Sequence, residues 1–245
     1  MKRQKALFTK GRFSCIIEVS ENSSSEVCGV LPLIIPGECI AVLSRRVTLP
    51  GKQIQEVITM KLSLEKGFIT PHPVLIIGTY GADGRPDAMN AAWGGQIGGS
   101  QISISLSNTH LTTDNIKLNR EFTVAFATAD QLAACDYVGL VSGAKVSDKL
   151  DRCGFTVTKS DKVNAPVIDQ LPVTIECRVI ELQDEFNETR VVAEIVGLKA
   201  DEEVVTDGKV DISKLGLVVY DTVGKCYRAV GDVAGGAWNI GRKFD

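Results

Sequence analysis

The chain has 245 residues, 44% of them hydrophobic, so it is long enough to bury a sizeable core in one domain or two. Its net charge of −3 argues against a nucleic-acid partner or an anionic membrane surface. Seven scattered cysteines, two histidines and no Cys-x-x-Cys motif argue against a zinc site. Cysteines in this pattern are typical of free buried thiols in a reducing cytoplasm.

Residues 1–59 differ from the rest of the chain. They carry eight Lys or Arg residues against five Glu, and they show no coherent helix or strand period before residue 54. The most apolar stretch, residues 27–43, is broken by proline, glycine and glutamate, whereas a membrane helix needs roughly 20 apolar residues. The basic start is not followed by the apolar core of a secretory signal. We expect residues 1–59 to be either a small subdomain or sequence ahead of a natural start at Met60.

From Met60 the pattern becomes regular. Residues 73–80 form an apolar run, residues 81–84 contain an Asp-Gly turn, and residues 86–93 form a second run, which together predict a β-hairpin. The glycines of residues 78–84 superficially resemble a dinucleotide fingerprint. Their spacing is not Gly-x-Gly-x-x-Gly and a strand follows them instead of a helix, so the hairpin is the better interpretation.

The remaining elements are mostly strands. The pattern predicts strands at residues 101–107, 122–127, 172–182, 189–198 and 217–220, and helices at residues 113–120 and 130–141. In residues 172–182 the alternation of polar Thr174, Glu176 and Arg178 with apolar neighbours predicts one solvated face and one buried face. Hairpin-like spacing with few helices indicates an antiparallel sheet or barrel.

Residues 105–116 are the most informative for function. Ser105 and Ser107 fall on one face of a strand, because side chains alternate with period two. His110, Thr112 and Asn115 then surround a predicted helix start, where free N–H groups and the helix dipole favour an anion. Hydroxyls beside a phosphate cradle suit a mononucleotide. The alternative is that a threonine here only caps the helix.

Other candidate residues have simple structural explanations. His72 and His110 could serve a hydrolase, but no Gly-x-Ser-x-Gly nucleophile motif accompanies them. Trp93, at the end of a predicted strand, is explained as a core residue. Lys149 is explained either as a solvated surface charge or as part of the anion site.

Several blocks of the chain occur in the order and spacing of a known family. They are Thr70-Pro-His-Pro-Val-Leu-Ile-Ile-Gly-Thr-Tyr80, Asn90-Ala-Ala-Trp93, Ser105-Leu-Ser107 with Thr112-Thr-Asp-Asn-Ile116, Asp136-Tyr-Val-Gly-Leu-Val-Ser-Gly143 with Asp148-Lys149, Asp161-Lys-Val-Asn-Ala-Pro166, and Leu171-Pro-Val-Thr-Ile-Glu-Cys177. By these blocks residues 60–245 resemble the flavin reductase-like family of FMN-binding split barrels, and within it the flavoredoxins. Residues 1–59 have no counterpart in the family pattern.

The resemblance implies a mainly β fold with a few helices, a six-stranded antiparallel split β-barrel that forms a homodimer and binds FMN non-covalently. It places Asn90, Ala91 and Ala92 along the isoalloxazine ring, Ser105, Leu106 and Ser107 at the ring and ribityl chain, and His110, Thr112, Asn115 and Lys149 around the phosphate. Many relatives carry Arg or Lys directly after the Ser-Leu pair, where this chain has Ser107-Asn108. The resemblance therefore implies a phosphate site less basic than usual.

The function implied is an FMN-dependent oxidoreductase, a flavin reductase or a flavoredoxin-like electron-transfer protein, with NAD(P)H as a transient electron donor. The alternative is a non-enzymatic flavin-binding module that carries electrons to a protein partner or stores FMN. A third possibility is a barrel that has lost its flavin. A cytoplasmic homodimer that exchanges electrons with a small molecule or a protein is expected in the first two cases.

The C-terminal residues 231–241 contain four glycines and Trp238. Glycine makes such a segment flexible, whereas a tryptophan is costly to leave in water. Two interpretations stay open: a strap across the flavin pocket, or Trp238 packed on its own barrel.

Overall fold

The structure, a computed structural model, describes residues 64–244 in full and, before them, only the backbone of five strands. The chain divides into two compact units, Met1–Gly67 and Phe68–Asp245. In the first unit β1 (Lys2–Lys10) pairs antiparallel with β2 (Phe13–Glu21), and β3 (Leu33–Ile35), β4 (Cys39–Leu43) and β5 (Met60–Lys61) pair in that order. Strands therefore occur where the sequence shows no coherent period.

The second unit is mainly β. Its strands are β6 (His72–Pro73), β7 (Leu75–Tyr80), β8 (Pro86–Ala91), β9 (Gly94–Ile97), β10 (Gln101–Ser107), β11 (Glu121–Phe126), β12 (Val157–Lys159), β13 (Pro166–Ile168), β14 (Val173–Glu185), β15 (Glu188–Ala200), β16 (Val205–Thr206), β17 (Lys209–Val210), β18 (Val218–Asp221) and β19 (Cys226–Ala229). Its α-helices are α1 (Leu111–Asn119), α2 (Leu132–Leu140) and α3 (Lys149–Arg152), and short 3-10 turns span Glu202–Val204, Ile212–Lys214 and Ile240–Phe244. The elements predicted from Met60 onward are present, with boundaries shifted by a few residues.

The main sheet has the order β8-β7-β11-β14-β15-β10-β9, and its neighbouring strands are antiparallel. The two edge strands β8 and β9 are joined by Ala92 and Trp93 alone, so the edges must lie side by side and the sheet curls into a barrel with a seam. The split β-barrel expected from the sequence is confirmed. The hydrogen-bonded sheet has seven strands, not six, because the short strand β9 extends the edge beyond β10.

Local chemistry explains the strands that border the seam. Gly84 lies at φ +77° in the tight turn between β7 and β8, a backbone conformation that glycine adopts without steric cost. Along β10 the apolar side chains Ile102, Ile104 and Leu106 are buried, while the serines between them are half-buried. The Asp-Gly hairpin and the alternation of β10 are therefore present as predicted.

The alternation of solvated and buried side chains predicted for β14 is not observed. Thr174 and Glu176 were expected on a solvated face, yet they are 2% and 1% exposed. The loop that joins β12 to β13 covers this face, and the hydroxyl of Ser160 donates a hydrogen bond to Oε1 of Glu176 at 2.5 Å. A buried carboxylate is tolerated because it has such a partner.

The core has two main parts. One fills the barrel and includes Ile77, Ile104, Phe122, Val124 and Val191, all at most 1% exposed. The other lies between the sheet and the helices α2 and α3. Within the described part of the chain, no helix is long and apolar enough to cross a membrane.

Candidate functional site

A cavity of about 270 Å³ opens at the barrel seam. It is bordered by the end of β8, the linker to β9, the end of β10, the start of α1, and residues of β15, β18 and β19. Seven residues singled out from the sequence line it: Asn90, Ala91, Ala92, Ser105, Leu106, Ser107 and His110. Segments that are distant in sequence thus meet at one place.

The cavity wall formed by β10 is polar. Ser105 and Ser107 are half-buried and lie on the same side of the strand, whereas the side chain of Leu106 is 2% exposed and packs into the barrel core. The hydroxyl of Ser105 donates to Oε2 of Glu188 at 3.3 Å, and the hydroxyls of Ser107 and Thr109 lie 3.1 Å apart. This wall therefore offers two hydroxyl groups to a ligand.

The start of α1 presents free donors beside this wall. His110 is the N-cap residue, with extended backbone (φ −85°, ψ 137°) and no side-chain capping hydrogen bond. Its carbonyl accepts from the N–H groups of Thr113 and Asp114, and no bond from the N–H groups of Leu111 or Thr112 to another described residue is seen. Capping by a threonine, one interpretation of the sequence, is wrong. Unpaired N–H groups at the positive end of a helix favour an anion.

The other three predicted site residues do not line this cavity. The hydroxyl of Thr112 donates to Oδ2 of Asp87 at 2.6 Å, and the Nζ atom of Lys149 lies 2.9 Å from Oδ1 of the same carboxylate. Asn115 donates through Nδ2 to the hydroxyl of Thr79 at 3.0 Å. Thr112, Asn115 and Lys149 are all at most 4% exposed. Lys149 is therefore no solvated surface charge, and it already has a carboxylate partner.

Asn115 and Lys149 border a second cavity of about 380 Å³, together with Asp83, Arg85 and Asp87. Its charged groups carry both signs and are largely paired with one another. The Nε atom of Arg85 lies 2.7 Å from Oδ2 of Asp83. Hydrogen bonds from the backbone and side chain of Arg85 hold the pKa of the Asp83 carboxyl below its ordinary value. Asp114 also lines this cavity, so its acidic residues outnumber its basic ones by one, and the lining lacks the net positive charge that would favour an anion.

Sequence reasoning missed several residues of the first cavity. Trp93, expected in the core, is 54% exposed and lines the cavity, and its ring makes a T-shaped contact with that of His72 at a centroid distance of 4.6 Å. Tyr227 reaches the cavity from β19, 137 positions beyond Asn90, so no local pattern could have found it. Trp93 directly follows Ala92, which was predicted to line the site, so its position in the sequence could have indicated that it lines the cavity too.

Burial in this corner changes the chemistry of Tyr227. Removal from solvent, and secondly the neighbouring Asp136 carboxylate, raise the pKa of Tyr227 to about 12. Its hydroxyl donates to Oδ1 of Asp136 at 2.5 Å. The phenol is therefore a neutral hydrogen-bonding group at physiological pH.

Comparison with known proteins identifies the family. The family described as flavin reductase like domain matches residues 68–222, which is more than half of the chain. The chain belongs to the flavin reductase-like family. The match covers β6 to β18 and so includes the second cavity and all of the first except Tyr227.

Solved structures agree with this assignment. Flavoredoxin of Desulfovibrio vulgaris (Miyazaki F) is similar with a TM-score of 0.70 and 32% identity, over 74% of this chain and 100% of that chain. Flavoredoxin from Methanosarcina acetivorans is similar with a TM-score of 0.69 and 27% identity, over 80% of this chain and 100% of that one.

A sequence comparison adds a further relative. A protein of Archaeoglobus fulgidus is 30% identical over 131 residues, which cover 53% of this chain and 73% of that protein. This flavin reductase-like chain is thus close to the flavoredoxins.

Proposed function

We propose that this chain binds FMN non-covalently in the cavity at the barrel seam and acts as an FMN-dependent oxidoreductase. The observation that carries the proposal is the convergence on that cavity of seven residues from β8, the linker that follows it, β10 and the N-cap of α1. Membership of the flavin reductase-like family and likeness to two flavoredoxins support it.

The chemistry of the cavity fits the isoalloxazine ring. Small apolar residues, Ala91 and Ala92, and the exposed ring of Trp93 form the walls against which a flat aromatic system can pack. Asn90 and Ser105 supply polar groups at the borders, where the heteroatoms of the ring need partners. The cavity is partly open to solvent, so one face of a bound ring would stay accessible to a second molecule.

The first turn of α1 fits the phosphate. Its unpaired N–H groups lie next to His110 and to the hydroxyl of Ser107, and both side chains line the cavity. Thr112 and Lys149 support this turn through Asp87, because all three side chains are joined in one buried cluster. Direct phosphate contacts of Thr112, Asn115 and Lys149 remain predictions.

When bound, FMN would supply the redox chemistry, accepting and passing on electrons or a hydride. The chain itself would bind the flavin, orient it and shield one face. We further propose NADH or NADPH as a donor that stacks transiently on the open face, and a cytoplasmic homodimer as the working form.

The second candidate function is a non-enzymatic electron carrier or FMN store that acts with a protein partner. The likeness to two flavoredoxins favours it as strongly as it favours a reductase.

The test begins with the absorption spectrum of the purified protein and a titration with FMN. A flavin spectrum, or saturable binding with quenched flavin fluorescence, is expected. Aerobic consumption of NADH or NADPH in the presence of FMN then separates the two candidates: turnover supports the oxidoreductase, and binding without turnover supports the carrier. A protein that binds no FMN would refute both.

A further inference from the structure

The side-chain amide of Asn90 has one orientation that satisfies its surroundings. Its Nδ2 atom donates to the carbonyl oxygen of Cys135 at 3.2 Å and to the hydroxyl of Tyr227 at 3.3 Å. A backbone carbonyl can only accept, so the NH₂ group must face Cys135. The Oδ1 atom is left without a donor among the described residues, on a side chain that lines the seam cavity.

The hydrogen bond between Asn90 and Tyr227 has a defined direction. The phenol has one hydrogen, and it is donated to the carboxylate of Asp136 at 2.5 Å. Only the lone pairs of the Tyr227 oxygen therefore remain for Asn90. Hydrogen bonds are therefore donated in one direction, from Asn90 to Tyr227 and from Tyr227 to Asp136.

Helix α2 also restricts the position of Asn90. At Gly139 an added Cβ atom would lie 2.7 Å from the Cβ of Asn90, which is closer than two non-bonded carbon atoms approach in proteins. The same helix carries Cys135 and Asp136, so it contributes both an acceptor for Asn90 and the acceptor for Tyr227. The backbone of α2 thus packs directly on the side chain that the two hydrogen bonds orient.

We propose that Tyr227 and Asp136 are positioning residues that hold Oδ1 of Asn90 toward the cavity as a fixed hydrogen-bond acceptor for an N–H group of the ligand. In a flavin that group is the N3–H of the pyrimidine ring. The inference rests on the proposed binding of FMN. It makes recognition of the N3–H edge of the flavin depend on Tyr227 of β19 and Asp136 of α2, which do not belong to the predicted site.

The experiment compares FMN with 3-methyl-FMN, which has the same ring system but lacks the N3–H donor. The native protein is expected to bind FMN about tenfold more tightly than the methylated analogue. In Tyr227→Phe only the carbonyl of Cys135 still restrains the amide of Asn90, so Oδ1 is held less firmly and that preference should fall to about twofold. Tyr137→Phe removes a hydroxyl from the same helix, outside the cavity lining, and should keep the native preference.

A double-mutant cycle checks that Tyr227 acts through Asn90. In an Asn90→Ala background, Tyr227→Phe should cause no further loss of FMN affinity, because the group it positions is gone. Additive losses of FMN affinity in the double variant would overturn the inference. So would a Tyr227→Phe variant that still prefers FMN to 3-methyl-FMN about tenfold. If Tyr227→Phe does not fold, Asp136→Ala replaces it with the same expectation, because the hydroxyl of Tyr227 then loses the acceptor that fixes its direction. A native protein that binds neither flavin would refute the proposed function instead.

Discussion

The Nζ atom of Lys149 lies 2.9 Å from Oδ1 of Asp87, and the two side chains are only 4% and 5% exposed. Lys149 also donates to the carbonyl oxygens of Val138 and Val141, each at 3.2 Å. The pair therefore ties α3 and the end of α2 to strand β8. Thr112 donates to the same carboxylate, which connects the pair to the first turn of α1.

Lys149→Met should destabilise the protein, because it leaves the Asp87 carboxylate buried without its cation. Breaking a buried ion pair in this way costs about 3–5 kcal/mol, and the double variant with Asp87→Asn should recover part of it. Thermal unfolding of the apoprotein measures the effect, and Lys145→Met, at an exposed position, is the control. Loss of FMN with an unchanged melting temperature would instead identify Lys149 as the predicted phosphate contact.

His110→Ala should weaken binding of FMN more than binding of riboflavin, which lacks the phosphate. A hydrogen bond to a charged group contributes about 1.5–3 kcal/mol, and His110 lines the cavity at the start of α1. Parallel titrations with the two flavins measure the difference. Thr112→Ala combined with Asn115→Ala should mainly lower the melting temperature, since both side chains are buried and paired. Equal losses for both flavins in His110→Ala would exclude a phosphate contact.

Removal of residues 232–245 should accelerate the release of FMN. Trp238 is 94% exposed and Phe244 is 84% exposed, so packing of Trp238 on its own barrel, one interpretation of the sequence, is wrong. The tail follows β19, whose Tyr227 lines the cavity, and a strap over a bound flavin remains the expectation. Stopped-flow release and flavin fluorescence test it, with Trp238→Ala in the full chain as the narrower change. An unchanged release rate would show that the tail is no lid.

A chain that begins at Met60 should fold and bind FMN like the full chain. Residues 68–245 form a compact unit of their own, and the family match begins at residue 68. Circular dichroism, gel filtration and FMN titration compare the two chains. Insolubility of the shortened chain would contradict the expectation and make residues 1–59 part of the fold.

Cys135 and Cys177 should resist alkylation by iodoacetamide at pH 8 in the native protein and react after unfolding. Burial raises the pKa of each thiol to about 12, whereas Cys153 and Cys226 are only half-buried. Each thiol binds its proton more tightly in the folded state, so its contribution to stability is complete below pH 9 and declines as the pH rises toward 12. Mass spectrometry after pulsed labelling identifies the modified residues. Rapid native labelling of Cys177 would show that the barrel opens.

Local patterns were enough to predict six of the seven strands of the main sheet, β9 being the exception, and the wall of the cavity formed by β10 and the start of α1. The Asp-Gly turn before β8, the alternation along β10 and the helix that follows it depend on neighbours a few residues away, which the sequence displays directly. Those elements carry Ser105 and His110, which the local pattern assigned to one site, whereas Asn90 was assigned to that site only by the resemblance to the flavin reductase-like family.

The tertiary structure alone decided which polar groups are buried and what they pair with. Glu176 looked solvated until the β12–β13 loop placed Ser160 on it, and Lys149 looked like a surface charge until the fold brought it to Asp87. Tyr227 meets Asn90 across 137 positions of sequence. Burying a polar or charged side chain is favourable only when a partner compensates the lost hydration, and in this protein those partners come from segments that no local period connects.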